Sequence, residues 1–315
     1  MFQFEIDKYR TRFADMSFYK WIPLLVLLLA GNTMLQAAPK FDTAEIETIT
    51  GLKGAYDEGE GVFKVSSPRA DIKVSVDQWM MFPFMGLTSW AAFAADPDSK
   101  KGGMVMGDIV LFQDEVNPVM SAALDSGLEV TALHNHFFYD DPHVYFMHIG
   151  GTGQFKPLAQ GIRAIFDKIK EIRAASPQLA TGFGDPSLPA TSSITGKPIE
   201  DIFHGPGQAK DGMFKMVIGL TTKMPCGCIA GKAMGVNTWA AFAGTDDNAV
   251  VDGDFAVKES DLQHVLKSLR GAGINIVAIH SHMTQEEPRI LFLHYWGRGP
   301  AKDLAYKVKA ALSVE

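Results

Sequence analysis

The sequence predicts an α+β fold that arose by tandem duplication, with strand-rich copies that each carry two helices and a histidine-bearing β-hairpin. Two observations support it. Residues 131–153 read TALHNHFFYDDPHVYFMHIGGTG, and residues 277–299 read VAIHSHMTQEEPRILFLHYWGRG. Upstream, SWAAFA at 89–94 recurs as TWAAFA at 238–243. The period of roughly 150 residues far exceeds that of solenoids and propellers, so it indicates a duplicated domain.

The elements are predicted in the same order in both copies. Apolar periodicity separates strands from helices, and Gly127 and Gly271 mark the ends of two helices. The predicted elements, first copy then second, are opening helices at 46–49 and 199–202, strands within 63–76 and 213–220, buried strands at 87–94 and 236–243, strands at 108–112 and 254–257, helices at 116–126 and 262–270, strands at 129–136 and 275–282, turns at 140–142 and 286–288, strands at 144–149 and 290–295, and closing helices at 158–172 and 301–312. The large apolar residues of the two WAAF segments, Trp90, Phe93, Trp239 and Phe242, are expected in the core.

Four parts are predicted along the chain: a signal peptide at 1–38, a first repeat at 39–173, a linker at 174–192 and a second repeat at 193–315. The apolar run at 22–30 has the length of a signal-peptide core and is shorter than the roughly 20 residues that span a bilayer. An uncleaved N-terminal anchor is the alternative. We expect a periplasmic or secreted protein with no stable membrane span in its mature chain.

Charge and motifs exclude several functional classes. The net charge is −7 and no cluster of Lys and Arg stands out in the mature part, so nucleic acid is not an expected partner. The sequence contains no GxSxG elbow, no P-loop and no dinucleotide fingerprint after a strand. A glycine run at 150–153, after a strand and before a helix, is typical of an ordinary turn, and an anion-binding turn is the alternative.

Each copy carries three histidines at the same spacing: His134, His136 and His148 in the first, and His280, His282 and His294 in the second. Side chains two residues apart on a strand share a face, so the two histidines of each HxH pair are expected to project together. A turn centred on Asp141 or Glu287 would place the third histidine directly opposite the first.

Three imidazoles with an open position form the site of catalytic zinc proteins, so the triplets predict binding of zinc or another divalent transition metal. The carboxylates that recur in both copies, and that would complete or orient the set, are Asp108 and Asp254, and the turn residues Asp140 and Glu286. A metal-free acid–base site and a hydrogen-bonded structural cluster are the alternatives. Imidazole suits zinc, copper, nickel and iron alike, so the metal stays open.

Two further functional hypotheses follow from the same residues. In a metal-assisted or His/carboxylate hydrolase of a small envelope-derived substrate, Glu286 and Glu287 would serve as general base. In a ligand-binding or scaffold protein, no metal is needed. Arg289 and Arg298 add positive charge to the second repeat only, and they would hold a small anionic ligand there. Surface pairing of these arginines with Glu286 or Glu287 is the alternative. We expect the second repeat to hold the more functional site.

The two cysteines, Cys226 and Cys228, occur as a CxC motif in the second copy only. A bridge between residues i and i+2 closes a small, strained ring. A free or loosely bridged pair, a labile redox bridge and a soft-metal site remain open.

The motifs HNHFFYDDPHVYFMHIGGTG and HSHMTQEEPRILFLHYWGRG, with the two WAAF segments, resemble the bacterial LppY/LpqO lipoprotein family. The resemblance extends from Phe41 to the C-terminus. It implies an exported envelope protein and brings no activity or catalytic residues with it. The chain departs from the family in having no lipobox cysteine after its signal segment, and in having Asp-Asp-Pro-His where Glu-Glu-Pro-Arg is more typical.

Overall fold

Strands outnumber helices in the computed structural model, which describes residues 41–98, 102–184 and 187–313. These residues belong to one compact unit, Ala38–Glu315. The described part contains six α-helices and is a mixed, strand-rich α/β structure, in agreement with the predicted class. The predicted signal peptide lies outside the described residues.

The helices fall in two sets of three, one set in each half of the chain, so the fold class with two helices per copy was wrong in that number: the short opening helices α1 and α4 add a third. They are α1 (Thr43–Thr50), α2 (Gln113–Asp125), α3 (Phe155–Ala175), α4 (Gly196–Phe203), α5 (Leu262–Gly271) and α6 (Ala301–Leu312). The strands are β1 (Gly54–Asp57), β2 (Val62–Pro68), β3 (Ser75–Val76), β4 (Trp79–Met80), β5 (Thr88–Ala95), β6 (Gly103–Phe112), β7 (Glu129–His134), β8 (Asp140–Asp141), β9 (Val144–Gly153), β10 (Gln208–Lys210), β11 (Met213–Gly219), β12 (Thr222–Lys223), β13 (Ile229–Ala230), β14 (Asn237–Gly244), β15 (Ala249–Lys258), β16 (Asn275–His280) and β17 (Ile290–Gly299).

Both halves contribute to one 12-stranded sheet, with the order β1-β2-β5-β6-β9-β7-β16-β17-β15-β14-β11-β10. The first six strands come from the first half, and the last six come from the second half in the reverse order. The halves meet where β7 and β16 pair antiparallel through Leu133 and Ile279, which occupy equivalent positions in the two repeats. Two smaller sheets, β12-β13 and β4-β3-β8, lie beside the main one.

Two amide side chains reinforce this junction. Asn117 on α2 accepts a hydrogen bond from the Ile276 backbone N–H at 2.7 Å and donates to its carbonyl at 3.1 Å. In the other direction, Gln263 on α5 bonds both backbone groups of Val130, at 3.0 and 2.9 Å. Ile276 and Val130 lie at irregularities in their own strand pairs, where the regular ladder is interrupted. Each half therefore supplies the partners for backbone groups of the other half.

The helices cover one face of the sheet, and the histidines lie on the opposite face. Alternate strand residues point to opposite faces, so Phe93 and Phe242 enter the main core while Trp90 and Trp239, three residues earlier, cannot. The expectation that the two tryptophans belong to the core was therefore wrong. They are half-buried on the histidine face, and the ammonium groups of Lys64 and Lys215 lie 4.2 and 4.1 Å from their ring centroids.

The histidine strands differ from their predicted form in two respects. Strands β7 and β16 end at His134 and His280, so His136 and His282 lie in the following loops. The predicted register was also wrong, because His134 pairs with Phe146 and His148 pairs with Ala132. The second half has the same register, with His280 paired to Phe292. The connection is not a symmetric two-strand turn, since β8 pairs with β3 instead, and this displaces the centre of the hairpin.

The glycine run at 150–153 lies within β9, where it pairs with β6. Its backbone groups therefore serve the sheet, so both the predicted turn and its anion-binding alternative were wrong. Helix α3 extends to Ala175, two residues into the predicted linker.

The segment that connects the halves is attached to both of them. The Ala180 N–H donates to the Asp114 carboxylate of the first half at 3.1 Å. Gly184 and Ser187 accept hydrogen bonds from Arg298 and Asn248 of the second half at 2.6 and 3.0 Å. None of the helices within 41–98, 102–184 and 187–313 combines the length and apolar character needed to cross a bilayer.

Candidate metal site

A row of three side chains crosses the second half of the sheet. Trp239 on β14 pairs with Asp254 on β15, and Asp254 pairs with His294 on β17. Directly paired residues project from the same face, so the carboxylate lies between an indole and an imidazole. Asp254 is 5% exposed. The repeated Trp and Gly-Asp positions marked these residues in the sequence, but only the strand register shows that they are neighbours.

Two more histidines complete the cluster. His280 ends β16, and its ring centroid lies 4.7 Å from that of His294. His282 follows in the loop, with its ring stacked on Phe292 at 3.5 Å. The Nε2 atoms of His280 and His282 are 3.1 Å apart, and His282 Nε2 is 3.4 Å from Asp254 Oδ2.

This geometry fits one small cation. Ligand atoms from Asp254, His280 and His282 all lie within 4.8 Å of one another, and this is the only such group of three found among the described residues. Tetrahedral zinc with bonds of about 2.0–2.1 Å separates its ligand atoms by about 3.3 Å. The two short distances in the cluster are close to that value.

Burial in the cluster disfavours the charged forms of Asp254 and His280. Burial raises the pKa of the Asp254 carboxyl; His294 and His282 oppose that rise, and Asp252 adds to it. Burial also lowers the pKa of His280, and the neighbouring His294 and His282 lower it further. In the described chain, Asp254 Oδ1 and His280 Nδ1 are buried without a hydrogen-bond partner. A bound cation would compensate the carboxylate and favour neutral imidazoles, which are the ligating form.

The first half brings the equivalent residues together in a different arrangement. The ring centroid of His134 lies 5.1 Å from that of His136 and 5.1 Å from that of His148. His136 stacks on Phe146 at 3.3 Å, and burial lowers its pKa. Asp108 pairs with His148, as Asp254 does with His294. Within the part of the chain that the structure describes, however, these side chains form no group of three ligand atoms at metal-binding distances.

The turn carboxylates have backbone partners. Glu286 is buried and accepts a hydrogen bond from the Ile290 N–H at 3.1 Å, as Asp140 does from the Val144 N–H at 2.7 Å. Glu287 is exposed, and its backbone pairs with Lys223. Both glutamates therefore hold the loop, and their role as a general base stays a prediction. The carboxylate that adjoins the histidines is Asp254.

The two arginines of the second repeat contact other parts of the chain. The Arg289 Nε lies 3.3 Å from Glu259 Oε1 on an exposed surface, so its acidic partner is neither of the two glutamates considered from the sequence. Arg298 Nη1 donates to the Gly184 carbonyl at 2.6 Å. Their role in holding an anionic ligand stays a prediction.

Both cysteines are exposed free thiols. The Cys228 N–H donates to Cys226 Sγ at 3.4 Å. Hydrogen bonds from the Cys228 side chain and backbone lower the pKa of the Cys226 thiol, and the side-chain hydrogen bond with Cys226 raises the pKa of the Cys228 thiol. They occupy the β12-β13 hairpin, which is joined to the histidine loop by the pairing of Lys223 with Glu287.

Two cavities adjoin the histidine clusters. One of about 390 Å³ is lined by His134 and by the loop that follows it. The other, of about 440 Å³, is lined by His294, Asp252 and Trp296 of the second half and by Phe183 of the connecting segment. Both volumes fall in the range of small-molecule sites. The sequence had singled out none of Asp252, Trp296 and Phe183, because none of them recurs in the other copy.

A family model described as Domain of Unknown Function (DUF1259) matches residues 44–168 and again residues 197–314. The chain therefore belongs to this family. No curated protein sequence matches the chain. A solved structure, titled as a trimeric bacterial microcompartment shell protein PduB, aligns with 14% identity over 82% of this chain and 89% of its own length, with a TM-score of 0.19. That likeness is too weak to inform the fold.

Proposed function

We propose that this member of the DUF1259 family is an exported protein that binds one divalent transition metal, zinc or a similar ion, through Asp254, His280 and His282. The observation that carries the proposal is the placement of three ligand atoms within 4.8 Å of one another. His294 supplies a fourth imidazole at the edge of the cluster. An exported location is supported by the apolar run at 22–30 and by the resemblance to the LppY/LpqO family.

The test is elemental analysis of protein purified without a histidine tag. We expect about one equivalent of metal in the wild type, near none in His280→Ala/His282→Ala, and wild-type content in the matched first-half variant His134→Ala/His136→Ala. Less than a tenth of an equivalent in the wild type, unchanged in both variants, would contradict the proposal.

We further infer that the two halves are products of one tandem duplication and have superimposable folds, each with its own histidine hairpin. The mirrored strand order and the two family matches support this inference. An experimental structure tests it directly. Halves that fail to superimpose over the six strands of each copy would reject it.

A metal-assisted hydrolase is the second candidate. The cavity of about 440 Å³ beside His294 favours it, because a small substrate has room next to the ion. Divalent ions in such sites activate water for attack on esters, amides and phosphoesters. Activity against panels of these substrates, measured with and without a chelator, tests it. Turnover that the chelator leaves unchanged would argue against it, and Glu286→Gln would show whether that carboxylate contributes.

A further inference from the structure

The cavity of about 440 Å³ is lined by His294, at the edge of the proposed metal site, and by Asp252 and Trp296 on two neighbouring strands. Asp254 pairs with His294, and two residues further along Asp252 pairs with Trp296. Two strand residues span about 7 Å, and residues two apart share a face. The Asp252–Trp296 pair therefore lies about 7 Å along the strands from the Asp254–His294 pair. A molecule bound to the ion would span that distance with one aromatic ring.

Besides His294, three aromatic side chains line this cavity, among polar and aliphatic ones, and they come from three separate parts of the chain. Trp296 lies on β17, Tyr145 on β9 of the first half, and Phe183 on the connecting segment. The connecting segment is fixed on each side of Phe183, through Ala180 to Asp114 and through Gly184 to Arg298. Phe183 is therefore positioned by both halves, and the cavity exists only where they meet.

Trp296 and Asp252 have no counterpart of the same type in the first half. At the equivalent positions the first half has Gly150 in place of Trp296 and Met106 in place of Asp252. The half that brings three ligand atoms together therefore also has the indole of Trp296 and the carboxylate of Asp252 in the adjoining cavity. Trp296 Nε1 is buried without a partner in the described part of the chain, which leaves one donor of this wall unused.

We propose that the cavity binds a small aromatic molecule through a metal-chelating anionic head group, with the aromatic ring against Trp296. This proposal rests on the metal site proposed above. The ion takes the head group, and the aromatic walls accept a flat ring in stacked or edge contacts. Asp252 stands at the far end of the ring, where it repels a second anionic group and favours a hydroxyl or amino substituent.

The test uses zinc-loaded protein and two hydroxamic acids that share a head group. Benzohydroxamic acid carries an aromatic ring, and acetohydroxamic acid carries a methyl group in its place. After correction for the affinity of each acid for free zinc, we expect benzohydroxamic acid to bind at least about tenfold more tightly, as expected from ring contact and burial.

Two variants locate the ring. Trp296→Leu should remove most of the preference while zinc affinity stays at the wild-type value, and Tyr145→Leu should reduce it if Trp296→Leu does not fold. The matched control Trp239→Leu alters the indole on the other side of Asp254 and should keep the preference. Zinc binding without any preference for the aromatic acid, or a preference lost in Trp239→Leu and kept in Trp296→Leu, overturns this inference and leaves the metal proposal intact. Absence of zinc binding overturns the metal proposal, and this one with it.

Discussion

The two histidine clusters have the same residue types at equivalent positions of the two halves. Among the described residues, only the second cluster brings three ligand atoms within 4.8 Å of one another. In both, the second histidine of the HxH pair stacks on a phenylalanine, at 3.3 Å for His136 and 3.5 Å for His282. The difference lies in the tilt of the first histidine. The planes of His134 and His136 differ by 17°, and those of His280 and His282 by 49°. The two clusters share their residue types, and the orientation of one ring decides whether three ligand atoms lie within 4.8 Å of one another.

A local contact accompanies this difference. The His134 Nδ1 lies 3.4 Å from the Asn135 carbonyl, whereas the His280 Nδ1 is buried without a partner in the described residues. His134 therefore has an interaction of its own that holds its ring. His280 lacks that Nδ1 contact; its ring is placed instead beside His294, with Nε2 3.1 Å from His282 Nε2.

The largest expected effect concerns a buried ion pair that only the first half has. Arg69 donates to Glu115 at 2.8 and 3.0 Å, and Glu115 is fully buried. The second half has Leu220 and the half-buried Asp261 at these positions. Because Glu115→Gln removes the fully buried partner of Arg69 and leaves only the partly exposed Asp71, we expect a loss of about 3–5 kcal/mol of unfolding free energy, measured by urea denaturation.

The matched change in the second half is Asp261→Asn. Its carboxylate is 3.9 Å from the Lys258 ammonium at the surface, so we expect a loss below about 1 kcal/mol. Similar losses in the two variants would show that the ion pair does not distinguish the halves.

The second prediction compares the two sheet carboxylates. Asp254→Asn removes the anionic ligand of the proposed site, and we expect zinc affinity to fall by at least about 100-fold, since even outer-sphere changes cost 10–100-fold. Asp108→Asn, the same change in the first half, should leave zinc affinity unchanged. Competition with a chromophoric chelator measures both. A larger loss in the first-half variant would place the metal there and reverse the comparison.

The third prediction concerns Asp71, whose counterpart in the second half is Thr222. Burial raises the pKa of Asp71, but hydrogen bonds and charge from Arg69 outweigh burial and hold it below its usual value. The stabilisation is therefore full above the unfolded pKa of about 3.9 and is lost as pH falls through the lower folded value. We expect the free energy of unfolding of the wild type to exceed that of Asp71→Asn by no more than about 1 kcal/mol at pH 6. This difference in unfolding free energy should narrow below pH 4. A difference in unfolding free energy that widens as pH falls would contradict the expected pH dependence.

The smallest effect should come from the cysteines, which occur in the second half alone. Because its pKa is lowered, the exposed Cys226 should react with iodoacetamide before Cys228, as peptide mass spectrometry would resolve. Zinc content should be unchanged in Cys226→Ser/Cys228→Ser. Loss of zinc in this variant would move the site from the histidines to the thiols.

Much of the fold followed from period and repetition. The closing helix of the second copy lies at Ala301–Leu312, as predicted, because its apolar face and its following polar residues are local features. The predicted register of the histidine hairpins was wrong, and the connection within each hairpin pairs with a segment about 65 residues earlier in the chain, β8 with β3 in the first half and Glu287 with Lys223 in the second. Long-range pairing of that kind leaves no local pattern.

The candidate site shows the same division. Repetition identified the histidines and Asp254 as candidates, but the ring tilt that separates the two clusters is a packing outcome. Comparison of the two copies did not identify the residues that line the cavity, because Trp296, Asp252 and Phe183 belong to one copy or to the connecting segment. Residues that make two copies differ cannot be found by a search for what the copies share.

If only the second cluster binds zinc, the ion should be visible at one place in the protein. Anomalous diffraction at the zinc absorption edge, from crystals grown with one equivalent of zinc, locates it. We predict a single strong peak between Asp254, His280 and His282, within bonding distance of all three, and none among His134, His136 and His148. A peak at the first-half histidines, equal peaks at both clusters, or no peak at either would contradict the account.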